Sequence, residues 1–311
     1  MNTQSNSVPD SALGAQAMTP AASPPTRPLY WSVRRELWEN RSLYIAPLAV
    51  AGVYMLGFLI SECTFPRRMR AVLALDPEQQ RHAVHLPYHM AAALIIATAF
   101  LVGVLYCLDA LYGERRDRSI LFWKSLPVSD LTTVLSKAAV PLLILPIVSL
   151  AIIVTLHLII FLLSTVVLMG SSPSLAMVWA NLPLLKSWVA LFYSLIAISL
   201  WHAPIYGWLL MVSAWARRTT FLWAALPPLA ICILEKVASN THHFANYLKY
   251  RLIGWFFLAY LPAVPHSVPA DPLTQLTPGK FLSAPGLWFG LIAAAIFLAI
   301  AVRLRRYREP I

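Results

Sequence analysis

Six stretches of the chain carry apolar residues almost without interruption, and polar residues gather between them. A helix that crosses about 30 Å of hydrocarbon needs roughly 17–25 such residues. Leu43–Ser61, Tyr88–Leu111, Ala138–Met169, Ser187–Ser213, Thr219–Glu235 and Gly286–Val302 meet that requirement. The third is too long for a perpendicular crossing, which predicts tilt or projection beyond the bilayer. Pro227 and Pro228 predict a kink or break in the fifth. Arg251–Pro265 is also apolar but too short to span, and reads as a re-entrant segment inside a long outer loop, residues 236–285.

Composition agrees with this pattern. Apolar residues make up 59% of the chain and charged residues 12%, about half the charge of a soluble domain. The chain therefore reads as an all-α integral membrane protein with residues 43–311 as its six-span domain. Residues 1–28, rich in Ser, Ala and Pro, lack a charged start and an apolar core, and read as a disordered tail rather than a signal peptide. Over residues 29–42, Leu29, Tyr30, Val33, Leu37 and Tyr44 share one helical arc, while Arg34, Arg35, Glu39 and Arg41 lie elsewhere. This predicts an amphipathic helix at the interface, with Trp31 and Trp38 at headgroup depth.

The net charge of +11 is carried by Lys and Arg beside the apolar segments, where they act as topology determinants, so no nucleic-acid partner is expected. With both termini cytoplasmic, fifteen of the 24 basic residues fall inside and nine outside. A seventh crossing would put Arg303–Arg308 outside, against the charge bias. Cys63, Cys107 and Cys232 have no metal-type spacing and read as apolar packing residues; a Cys63–Cys232 disulfide at the outer face stays open.

Residues 112–137 depart from everything around them. Five Lys/Arg, three Asp/Glu and an apolar cluster, Ile120–Trp123, occupy one connection. A chain reversal needs only a few turn residues, so the excess implies a docking element, although basic loops with an aromatic anchor are also ordinary in membrane proteins. Ile120–Trp123 predicts a short helix parallel to the membrane, and Pro127 its end. Ser129 reads as the N-cap of the next helix and Asp130 as a partner of its dipole. Lys137 would mark the entry of the third span into lipid.

Ionisable groups inside spans are costly and face cavities or partners. His157 and His202 therefore either line a translocation path, with Trp201 and Tyr206 as aromatic neighbours, or bridge helices as neutral imidazoles. His82, His85 and His89 have helical spacing with Glu78 one turn earlier, a set that could hold zinc or copper. Pro87 is expected to interrupt that helix, so a solvated loop face is preferred and no metal is assigned.

The layout resembles the permease subunits of type 2 ABC exporters. The local carriers are Glu114, the short segment Ser119–Lys124, the Leu126-Pro127-Val128-Ser129 turn and Lys137. The resemblance implies that the loop is a coupling helix seated in a cleft of a separate ATP-binding subunit, with Glu114, Arg115, Arg116, Ser119, Phe122, Trp123, Lys124, Leu126 and Pro127 as contact candidates. It further implies two such ATPase subunits carrying ATP and Mg, a second permease chain of the same or a related kind, and a bacterial inner membrane. No GxxxxGK[ST] loop occurs; the one Gly-Lys pair, Gly279-Lys280, is followed by Phe281. Two other classes remain. A secondary transporter would need midplane ionisable groups, of which His202 is the one good candidate, and repeated halves, which are not visible. A membrane hydrolase would need a nucleophile and base or an HExxH motif inside the spans, and neither is present.

Overall fold

A computed structural model describes residues 27–62, 72, 75–125, 128–169, 182–260 and 271–307. Among these residues the chain is all-helical and no strand occurs. The helices are α1 (Pro28–Glu39), α2 (Ser42–Glu62), α3 (Pro77–Ala110), α4 (Tyr112–Arg116), α5 (Ser119–Ser125) and α6 (Asp130–Ala139). They continue with α7 (Leu145–Met169), α8 (Leu184–Trp215), α9 (Thr220–Ser239), α10 (His243–Ala259), α11 (Pro278–Ser283) and α12 (Pro285–Tyr307). Six stretches are long and apolar enough to cross a membrane: Ser42–Ser61, Pro77–Arg116, Asp130–Val167, Leu184–Trp215, Thr220–Ser239 and Pro285–Tyr307. The chain is a multi-pass membrane protein.

The bundle is built around α8. Its apolar window is 67% buried, against 6% for α9, which lies at the periphery with its apolar side chains outward. Beside α8 runs α12 in the same direction. Trp201 clusters with Leu287, a Cβ on Gly207 would stand 3.2 Å from the Ala294 carbonyl, and Ala214 clusters with Ala301. Small residues at these levels let the backbones approach, since apolar burial alone does little to join helices in lipid.

Several expectations change. The helix α3 runs unbroken through Pro87, so the three histidines sit on a continuous helix and not on a polar loop. The Tyr54 hydroxyl donates to the Pro87 carbonyl at 2.6 Å and ties α2 to α3 at this level. In the same way α9 passes Pro227 and Pro228 without a break in its helix. The third span starts eight residues earlier than expected, at Asp130, and Val140–Ile144 forms a π-helical turn around Pro141. Ser129 does cap α6, its Oγ accepting from the Thr132 N–H at 3.1 Å.

The connection between α9 and α12 folds back on itself. His243–Ala259 is a helix packed on α8 and α9, and Tyr260 returns to bridge Leu276. Arg251, expected at the edge of this segment, is instead in the middle of α10 and buried. The tail 1–26, Cys63, Leu126, Pro127 and Arg308 lie outside the described residues; Cys232 carries a free thiol.

Candidate functional site

At one end of the bundle, six charged side chains from four helices form a single network. Glu36 of α1 accepts from Lys137 Nζ at 2.9 Å and from Arg35 Nη2 at 2.8 Å. Lys137 also reaches Glu114 at 3.1 Å. Glu114 in turn pairs with Arg305 of α12, whose Nε donates to Asp130 at 3.1 Å. Three cations meet three carboxylates in this set, and the half-exposed Glu39 adds a looser contact to Arg35 at 3.6 Å. Glu36, Lys137 and Arg305 are all under 4% exposed, and buried charges are tolerated only when paired in this way.

Burial alone would push the Glu36 carboxyl up. The Lys137 charge, with hydrogen bonds from Lys137, Arg35 and Tyr106, outweighs this and holds it below its ordinary value. The Tyr106 hydroxyl donates to Glu36 Oε2 at 2.7 Å. This corrects one expectation. Lys137 does not mark an entry into lipid but is enclosed in protein. The inward face of α1 is centred on Glu36, while Leu29, Tyr30, Trp31 and Trp38 point outward.

A second clamp joins the 112–116 helix to the end of α8. The Ser213 Oγ accepts from the Leu111 and Tyr112 N–H groups at 3.0 and 2.9 Å, satisfying donors that a helix start leaves open. In return, Arg115 Nη1 donates to the Ala214 and Ala216 carbonyls at 2.6 and 3.1 Å, which lie where α8 runs out of its own donors. Arg118 at φ 58° makes the turn into α5.

The coupling-helix candidates thus divide. Glu114 and Arg115 are directed into the protein. Arg116 is exposed and pairs with Asp117 at 3.0 Å. Ser119 Oγ lies 3.4 Å from the Glu114 carbonyl. Lys124 Nζ reaches the Arg306 carbonyl at 3.4 Å. Trp123 is half-buried beneath Arg35, whose guanidinium carbon sits 3.8 Å from the ring centroid. Phe122, with Leu121 beside it, stands out from α5, both about 60% exposed.

A cavity of about 770 Å³ opens between α3, α7, α8, α10 and the single turn Pro272–Gln275. His157 and His202 lie on its wall, but Trp201 and Tyr206 do not. His157 Nδ1 accepts from Trp188 Nε1 at 3.3 Å and its Nε2 donates to the Tyr88 carbonyl at 3.0 Å, so it bridges three helices as a neutral imidazole. The nitrogens of His202 face the Ile198 and Leu252 carbonyls at 2.8 and 3.1 Å, tying α8 to α10. His85 and His89 stack with centroids 5.7 Å apart.

No protein family, characterised protein or solved structure matches this chain. The site stands on its own geometry. Sequence reasoning missed Glu36, Tyr106 and Ser213, whose partners lie 70 to 102 residues away.

Proposed function

We propose that the chain is the membrane-spanning subunit of an ATP-driven ABC transporter, acting as an exporter, with ATP and Mg bound by a separate ATPase subunit. The observation that carries this reading is α5. It is a short helix outside the spans that presents Leu121 and Phe122 to solvent and is braced from behind by buried charge. An exposed apolar pair suits a partner's cleft. The network behind it touches α1, α6 and α12, so a push on α5 is delivered to the ends of the third and sixth spans rather than absorbed by a loose loop. On this reading two permease chains and two ATPase subunits assemble in a bacterial inner membrane, with both termini cytoplasmic.

Co-expression with ATPases encoded beside the gene tests it. A stable complex is expected, weakened by Leu121→Ala with Phe122→Ala while the melting temperature of the isolated chain is unchanged. A chain that moves its substrate with no ATPase present overturns the proposal.

A further inference from the structure

The cavity has a wall of one chemistry and an end of another. Ile96, Ala97, Phe100, Ile198 and Leu252 give it an apolar interior, and no Lys, Arg, Asp or Glu among the described residues lines it. Most of its polar groups are already engaged. His157 and His202 are held as described, and Ser194 and Tyr260 hydrogen-bond each other. His89 and Gln275 are different: both line the cavity, and neither has a hydrogen-bond partner among the described residues.

These two groups share one end. Gln275 follows Asp271, which pairs with Lys186 near the start of α8 at 2.5 Å. Tyr88, adjacent to His89, meets Trp188 at that level through His157. From His89 the wall extends along α3 to Phe100, about 16 Å at the helical rise. The volume lies within the roughly 300–1,000 Å³ of small-molecule sites.

We propose that the cavity binds one single-chain amphiphile with an uncharged, hydrogen-bonding head, in the class of long-chain alcohols and monoacylglycerols. The tail lies toward Phe100 and the head between His89 and Gln275. A charged head is disfavoured because no Lys, Arg, Asp or Glu among the described residues lines the cavity to pair with it. The inference rests on the transport reading only in making this molecule the cargo. Binding to the isolated chain needs no ATPase, so the two can fail separately.

The full chain in phosphatidylcholine nanodiscs is photolabelled with a diazirine-bearing hexadecanol and the labelled peptides are mapped. Labels are expected on the wall residues of α3 and α8, competed by unlabelled hexadecanol and monoolein but not by hexadecyl sulfate or hexadecyltrimethylammonium. Ala97→Phe, which places a ring in the cavity, should abolish this competable labelling. His89→Leu with Gln275→Leu should weaken competition by hexadecanol about tenfold and leave labelling by a diazirine alkane intact. This second pair carries the test if Ala97→Phe does not accumulate. Labelling confined to the outward faces of α2 and α9, or competed equally by the charged amphiphiles, overturns the proposal.

Discussion

Glu36 and Lys137 lie 2.9 Å apart across 101 residues of sequence, and both are almost fully buried. One belongs to the helix that precedes the first span and the other to the start of the third, so this pair fastens α1 to the bundle. Removing one partner leaves an uncompensated charge in the interior. Glu36→Gln or Lys137→Met should each cost about 3 kcal/mol, seen as a lower melting temperature. The double variant restores balance and should lose less than the sum of the two. Strict additivity would mean that the two charges do not interact.

Acid should release the same fastening. Glu36 is held below its ordinary value of 4.5, so its ionised form favours the folded state. That contribution is complete above about pH 4.5 and is lost as the pH falls through the lower folded value, at about 1.4 kcal/mol per pH unit. The stability gap between the native chain and Glu36→Gln should therefore be constant from pH 5 to 7 and close below that window. A gap that widened in acid would reverse the sign assigned to Glu36.

The spans were readable because each is apolar on every face, which hydrophobic runs report directly. The cap at Ser129 and the short helix after Arg118 were readable because their causes are local. What sequence could not show was pairing at a distance. Arg35, Lys137 and Arg305 counted as topology signals, and nothing in their neighbourhoods revealed that Glu36, Glu114 and Asp130 neutralise them. The buried face of α1 was hidden for a related reason. A helix beside a bilayer turns apolar side chains outward, so its buried face can be the charged one.

Ser213 should matter more than a serine in a span usually does. Its hydroxyl accepts from two backbone N–H groups at the start of α4, and Ser213→Ala leaves the buried Leu111 donor and the partly buried Tyr112 donor without that acceptor. A loss of about 2 kcal/mol is expected, with hydrogen exchange rising first at Leu111 and Tyr112. Ser213→Thr keeps the oxygen and should recover most of the loss. Unchanged exchange in the alanine variant would show that another acceptor takes over.

Gly290 supplies the socket for Arg251. The Arg251 Nη2 donates to the Gly286 carbonyl at 2.7 Å and the guanidinium lies over the Trp201 ring at 4.6 Å, while no carboxylate pairs with it among the described residues. A Cβ on Gly290 would fall 2.2 Å from Nη2, so the cation must leave the surface of α12 to make room. Moving it gives up the Gly286 hydrogen bond and the ring contact together, because both depend on the same placement. Gly290→Ala should therefore destabilise the chain by about 1–3 kcal/mol. In an Arg251→Ala background the socket is empty, and the same substitution should cost only a few tenths of a kcal/mol. Melting temperatures of the four chains measure this coupling, and an equal cost of Gly290→Ala in both backgrounds would place the constraint on the α8–α12 backbones instead of on Arg251.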